Sequence, residues 1–324
     1  VNTFTTGIYR AWFSLGDRIA SAQLAAILLG FVLLLVAVER ITRGRARYHN
    51  TSNRPRPSAG RLHGSAALLA SLACLTPLAL GFLLPAGLLL RMALGEGDAQ
   101  FGERFAILAR NSFTLAGLTA LVAVMLAVVL AYSARLSKAL LAQGLNRLVG
   151  LGYAVPGTVI AVGVLIPVTR LDNWLAGQWE SAFGSNPGLL LTGGIAALIY
   201  AYLARFLSVA LQTVETSLSK ITPSMDDAAR SLGLGQGPTL RRVHLPILRG
   251  SLFTAGLLVF VDVMKELPAT LVMRPFNFDT LATQAYTLAS DERLAEASTA
   301  ALAIVAVGLL PLIALSRQIS LARK

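Results

Sequence analysis

Ile221-Thr222-Pro223-Ser224-Met225-Asp226-Asp227-Ala228-Ala229-Arg230-Ser231-Leu232-Gly233, running on to Val243-His244-Leu245-Pro246, is a polar island between apolar stretches at 188–204 and 251–272. Its spacing predicts helix, turn, helix over 222–246. Thr222 suits an N-cap, and Pro223 suits the first helical position, where the missing N–H is no loss. Asp226 and Asp227 follow early in the helix, where its dipole favours acids. Gly233 falls where a glycine ends a helix. Gly235 and Gly237 keep the connection open, and Pro238 can start the next helix. Ala228 and Ala229 present almost no side chain, so another backbone can approach them closely. Leu232, Leu234 and Leu240 give the element an apolar side. No nucleophile is paired with a base, and the glycines lack the Gly-Lys-Ser/Thr ending of a phosphate loop. The stretch reads as a docking element for another protein and holds no catalytic constellation. The plainer alternative is a solvated amphipathic connector.

Outward from this island the chain is apolar. Of 324 residues, 55% are hydrophobic and 14% charged, and the mean hydropathy is +0.66. A soluble domain carries about 25% charged residues, so a soluble enzyme is excluded. A membrane span needs about 20 apolar residues. Seven stretches fit, at about 20–38, 65–90, 112–132, 148–168, 188–204, 251–272 and 297–315. The expected fold class is therefore an all-α membrane protein, a polytopic helical bundle. The net charge of +12 then reflects Lys and Arg kept on the cytoplasmic side, and no nucleic-acid partner is expected. Cys74 is the single cysteine, so no internal disulfide can form. His49, His63 and His244 lie far apart and offer no metal-ligand spacing, and no cofactor is expected.

Basic residues orient the bundle. The connections 39–63, 135–147, 212–250 and 316–324 hold 18 of the 28 Lys and Arg residues. The densest group is Arg40, Arg43, Arg45, Arg47, Arg54, Arg56 and Arg61. The positive-inside rule places these connections in the cytoplasm. The N-terminal residues then lie outside and the C-terminus inside, as an odd number of spans requires. Residues 39–63 also carry Pro55, Pro57, Asn50, Asn53 and Gly60, the composition of a linker.

The sixth span is compromised by Asp262, Lys265 and Glu266. A charge at the centre of a bilayer costs about 2.5–3.5 kcal/mol on insertion scales. Lys265 is three residues from Asp262, so the two can meet on one helix face. Pro268 removes a backbone donor and breaks the helix. Two readings stand side by side. In one, a broken helix lines a translocation path or gate. In the other, Asp262 and Lys265 simply satisfy each other. Arg205, at the end of the fifth span, reads as a snorkelling side chain.

Thr3-Phe4-Thr5-Thr6-Gly7-Ile8-Tyr9 matches Thr280-Leu281-Ala282-Thr283-Gln284-Ala285-Tyr286. After a two-residue gap, Arg18-Ile19-Ala20-Ser21-Ala22 meets Arg293-Leu294-Ala295-Glu296-Ala297. Shared apolar bias does not explain the Thr, Tyr and Arg matches. Both copies precede a last span followed by basic residues. Internal symmetry is a mark of transporters. Residues 1–38 are accordingly expected to be the tail of an upstream half, with 39–63 a basic cytoplasmic linker. Residues 64–324 then form a second domain, with six spans and a core at about 107–316.

The island resembles a known family. Asp227-Ala228-Ala229, three residues, Gly233, nine residues, then Val243-His244-Leu245-Pro246 is similar to the Glu-Ala-Ala…Gly…Ile-x-Leu-Pro pattern of permease subunits in binding-protein-dependent ABC importers (MetI-like). It departs in Asp for Glu and Val for Ile. The resemblance implies that this loop, with Asp227, Ala228, Ala229, Gly233, Val243, Leu245 and Pro246, inserts into a groove of a separate cytoplasmic ATPase dimer. It also implies that the chain hydrolyses nothing itself. The other partners implied are a periplasmic or lipid-anchored binding protein, an upstream permease half and the lipid bilayer of a bacterial inner membrane. A narrower resemblance, to ferric-iron permeases, rests on Lys265-Glu266-Leu267-Pro268-Ala269-Thr270 with Arg274-Pro275-Phe276-Asn277-Phe278. Gly152-Tyr153-Ala154-Val155-Pro156-Gly157 and the opening Thr3–Tyr9 stretch add to it. Permeases for thiamine, polyamine, sulfate and phosphonate share the general pattern. A secondary transporter using Asp262 and Glu266 as ion sites is the rival, and such a carrier has no need of the loop at 222–246.

Overall fold

A computed structural model describes residues 3–43, 62–96, 102–137 and 140–322. Its helices are α1 Phe4–Tyr9, α2 Arg18–Arg43, α3 Gly64–Leu78, α4 Leu84–Glu96, α5 Glu103–Leu136, α6 Leu140–Val149 and α7 Gly157–Phe183. They continue as α8 Ala196–Leu218, α9 Pro223–Ser231, α10 Gln236–Thr239, α11 Leu245–Met264, α12 Pro268–Met273, α13 Leu281–Ser290 and α14 Leu294–Ala322. No strand occurs among the described residues. Seven helical stretches are long and apolar enough to cross a membrane: Arg18–Glu39, Gly64–Gly95, Glu103–Leu136, Gly157–Phe183, Ala196–Leu218, Gln236–Met264 and Leu294–Pro311. The chain is a multi-pass, all-α membrane protein, as its composition requires. Of the basic connection at 39–63, residues 39–43 continue α2, while 44–61 lie outside the described residues.

Two spans sit away from their apolar windows, and one carboxylate explains much of the shift. Apolarity places the fourth span at 148–168 and the fifth at 188–204. The helices run 157–183 and 196–218 instead. Pro156 precedes the first residue of α7, and 150–155 fold as turns around the 3₁₀ segment Gly152–Ala154. Asp172, fully buried on α7, accepts the backbone N–H groups of Leu190 (2.8 Å), Leu191 (3.0 Å) and Thr192 (2.8 Å) and the Thr192 hydroxyl (2.6 Å). That knot satisfies backbone donors that would otherwise be orphaned before α8. It also holds 190–192 out of the helix. Arg205 consequently lies in the middle of α8 rather than at an end.

The core is α5, α8 and α11, which pack on one another. Ala116, Ala120, Ala123, Ala127 and Ala131 form a buried seam along α5, facing Ala197, Ala201 and Ala210 of α8 and Ala255 of α11. Small side chains let helices approach closely where lipid gives them no hydrophobic reason to associate. α14 packs on α4, α11 and α13. α3 buries no residue, and Leu68, Leu69, Leu72 and Leu75 along it are exposed, the composition of a lipid-facing helix. At the N-terminus, α1 and α2 dock on α7 through Ile8, Ala25, Val159 and Val162.

Candidate functional site

The polar island folds as a short helix, a glycine stop and a long helix. α9 begins at Pro223 behind Thr222, whose hydroxyl meets Ser224 Oγ (2.8 Å) rather than capping a backbone N–H. Gly233 holds φ +79°, the left-handed conformation that ends a helix and that glycine adopts freely. Its N–H donates to Arg230 O (2.9 Å) and that of Leu234 to Ala229 O (3.0 Å). Beyond the turn, α10 runs through a π turn at Leu240–His244 into α11. Val243, Leu245 and Pro246 therefore sit where the loop becomes the sixth span.

A partly buried polar knot fixes α9 to the spans. Asp226 Oδ2 accepts from Arg135 Nε (3.1 Å) and Nη2 (2.7 Å) at the last turn of α5. Arg135 also donates to Leu218 O (2.9 Å) and Ile221 O (2.9 Å) at the end of α8. His244, fully buried, brings Nε2 to 2.7 Å from Asp226 Oδ1 and stands edge-on to Tyr132 at 5.4 Å between ring centres. The Tyr132 hydroxyl donates to Gln236 O (2.8 Å). The Arg135–Asp226 hydrogen bonds are charge-assisted, which makes them among the stronger ones, while His244 contributes a close polar contact. One small cluster thus ties α9 to the ends of α5 and α8 and to the start of α11.

The residues singled out from sequence divide between two faces of α9. Ala229 is buried inward, while Asp227 and Ala228 are exposed. Asp227 pairs with Arg230 at 2.5 Å on the outer surface. Met225 (45% exposed) and Leu232 (81% exposed) flank Ala228. Spaced at i, i+3 and i+7, these three form an apolar strip pointing away from the molecule. Arg135, Tyr132 and His244 complete the polar cluster, and motif reading assigns none of them a role. The only sequence signal for them is polar character at the edges of apolar runs.

The second candidate region is the break in the sixth span. α11 stops at Met264 and α12 starts at Pro268. Asp262 and Lys265 meet at 2.9 Å, with the Lys265 side chain 57% exposed. Glu266 is buried. Its carboxylate accepts from Ala269 N (3.1 Å), Thr270 N (3.2 Å), Thr270 Oγ1 (3.0 Å) and Arg205 Nη1 (3.1 Å). Arg205 is therefore not snorkelling. It reaches sideways from α8, because α8 extends well past it toward Leu218. Gly157, the first residue of α7, is pressed against this pair: a Cβ there would lie 2.6 Å from Arg205 Nη1, 2.6 Å from Glu266 Oε1 and 3.0 Å from Pro268 Cβ. Gly152 is tighter still, with a Cβ falling 2.1 Å from Ala204 O. These contacts explain why the stretch 152–157 carries glycine at both ends. Tyr202 and Thr270 share a 2.5 Å hydrogen bond beside them. From α1, the Tyr9 hydroxyl donates to Pro268 O (2.8 Å). Burial, then the nearby Glu266 carboxylate and Tyr286, push the Tyr9 phenol above its ordinary value, so it stays a neutral donor. No group of three or more His, Cys, Asp or Glu that could hold a metal occurs among the described residues.

The chain is similar to bacterial transport permeases. No family model matches the chain. It is 28% identical to the Fe(3+)-transport system permease protein FbpB 2 of Haemophilus influenzae, over 97% of this chain and 60% of that protein. It is 26% identical to the putative 2-aminoethylphosphonate transport system permease protein PhnV of Salmonella typhimurium, over 51% of this chain and 56% of that one. The ferric transport system permease protein FbpB of Actinobacillus pleuropneumoniae is 27% identical over 47% of this chain and 22% of its own length. The chain thus spans less than two thirds of the relatives it matches. In structure it resembles a chain of a bacterial ABC transporter involved in the import of the acidic polysaccharide alginate, with a TM-score of 0.58 and 19% identity, over 78% of this chain and 95% of that one. A second crystal structure, of a bacterial alginate ABC transporter with an alginate pentasaccharide-bound periplasmic protein, matches with a TM-score of 0.57 and 17% identity. The fold is that of an ABC importer permease, and the sequence resembles permeases of ferric type.

Proposed function

We propose that this chain is the membrane-spanning part of an ATP-driven importer of a bacterial inner membrane, with ferric iron as its cargo. One observation carries the reading: α9 is an exposed, apolar-striped helix locked to the ends of three core spans by the Arg135–Asp226–His244 cluster. A lone polar connector has no need of such a lock. A lever does. An ATPase that grips Met225, Ala228 and Leu232 and then closes would drag the ends of α5, α8 and α11 together, and so reorganise the path between them. Asp227, Ala228, Ala229, Gly233, Val243, Leu245 and Pro246 make up the docking loop. Ala229 serves on its inner side and Asp227 on its outer side.

The path itself runs past the break in the sixth span. Pro268 starts the helix beyond the break, Glu266 and Arg205 hold it, and Asp262 with Lys265 supplies its accessible charge. A binding protein on the outer face delivers cargo, and the ATPase dimer, not this chain, hydrolyses ATP. The chain's C-terminus lies in the cytoplasm, following the distribution of Lys and Arg, and residues 1–38 belong to an upstream half. Ferric iron is favoured by the similarity to a Fe(3+)-transport permease across nearly the whole chain. A phosphonate is the second reading, since PhnV matches over about half of this chain. Uptake assays in proteoliposomes holding the permease, its ATPase and its binding protein decide between them. ⁵⁵Fe(III) uptake that 2-aminoethylphosphonate does not compete supports iron. Phosphonate uptake without iron uptake overturns it.

A further inference from the structure

The sequence repeat is also a repeat of structure. Thr3 and Thr280 each cap a helix through a reciprocal capping box, with Thr6 and Thr283 as the third helical residues. Their backbones agree closely, at φ −119°, ψ 164° and φ −115°, ψ 167°. Each short helix is followed, after a brief turn, by a long membrane helix, α2 or α14. The two copies differ in what they touch. The second is docked within its own core: Leu281 N donates to Ser112 Oγ of α5 (2.9 Å), and Asn111 Nδ2 of α5 donates to Asp279 O (3.0 Å). The first reaches across to α7 and places the Tyr9 hydroxyl on Pro268 O at the helix break. Tyr286 stands at the position of Tyr9 in the repeat. It is 48% exposed, and its hydroxyl has no hydrogen-bond partner among the described residues.

We infer that Tyr286 makes the reciprocal contact, donating its hydroxyl to the main-chain carbonyl at the break of the corresponding span in a second, homologous permease half. This rests on the two-half reading above and adds the residue that joins the halves. If a pseudo-two-fold axis relates them, what Tyr9 does to this half's broken helix, Tyr286 does to the other's. The contact is isologous in kind, with one donor and one broken helix from each half. Tyr9 and Tyr286 also lie near enough to influence each other electrostatically, as two residues flanking such an axis would. The two broken helices are then braced against each other at the level of the path, each by the partner's tyrosine.

The test uses the full reading frame in membranes, with Cys74→Ala and a protease site placed within 44–61. Tyr9→Cys with Leu267→Cys is the internal control, and a short bis-maleimide is expected to hold the two cleavage fragments together. Tyr286→Cys is paired with a cysteine at the upstream residue aligned to Leu267. The inference expects this pair to hold the fragments as completely as the control. It also expects the thiol at position 286 to resist a water-soluble maleimide. A control that bridges while the position-286 pair does not, with full labelling of position 286, overturns the contact and makes Tyr286 a water-facing residue. A reading frame with no second half refutes the two-half reading itself, and the contact with it.

Discussion

Asp226 and Asp227 are neighbours in the chain with opposite duties. Asp226 turns inward to Arg135 and His244, and Asp227 turns outward to an exposed partner. Asp226→Ala removes the acceptor of a charge-assisted cluster and leaves Arg135 and His244 facing a gap. The expected cost is about 1–3 kcal/mol of stability, the range for a buried polar group left unpaired. It is read as a lowered Tm of the detergent-solubilised protein. Asp227→Ala should leave Tm unchanged, because surface ion pairs contribute little. Equal effects of the two substitutions would contradict this division. The family pattern points at Asp227 and is silent on Asp226. Which acid faces inward depends on the rotation of α9, and that is set by Arg135, 91 residues earlier. Gly157 belongs to the same scale. Gly157→Ala places a methyl group against the Arg205–Glu266 pair. It should reduce the yield of folded protein, whereas Gly163→Ala on the same helix, with open space around it, should not.

At the scale of elements, stops and breaks were legible where a single residue type dictates them. Gly233 ends α9, and Pro268 opens α12 after the sixth span has broken, both as their backbone chemistry requires. Span boundaries were not legible where tertiary bonds set them. Nothing in the local sequence says that Asp172 will hold 190–192 out of a helix, or that Arg205 will find Glu266. Two outcomes follow from these elements. Gly233→Val forces a β-branched residue toward positive φ. It should leave insertion and the core intact while uncoupling ATP hydrolysis from uptake. Leu232→Glu places a charge on the exposed strip of α9. It should reduce co-purification of the ATPase about tenfold, the scale of an interface anchor worth 1–2 kcal/mol, without changing Tm. Retention of full ATPase binding would move the docking site away from α9. At the break, Glu266→Gln sets a donor amide among backbone donors and strips Arg205 of its counter-charge. Breaking a buried pair in this way costs about 3–5 kcal/mol, so the amount of inserted protein should fall. Lys265→Ala, at an exposed position, should spare insertion and lower uptake per molecule.

Among the described residues the molecule has seven helical stretches fit to span a membrane, with α5, α8 and α11 as its core and α1 and α2 packed on α7. Its all-α membrane class was readable from composition alone, and its importer resemblance from one loop. The packing was less readable. An alanine seam looks in sequence like ordinary apolar bias, and only its burial shows that it sets helix spacing. The proposed function requires conformational work to enter through α9 and drive transport. The direct measurement is uptake of ⁵⁵Fe(III) into proteoliposomes containing the full permease, with the ATPase and ATP inside and the binding protein outside. Wild type is compared with Gly233→Val. The account predicts uptake that requires ATP and the binding protein, and that is lost in Gly233→Val although ATP hydrolysis persists and the protein remains folded. Uptake by the permease alone under an imposed proton or sodium gradient, unchanged in Gly233→Val, would contradict it.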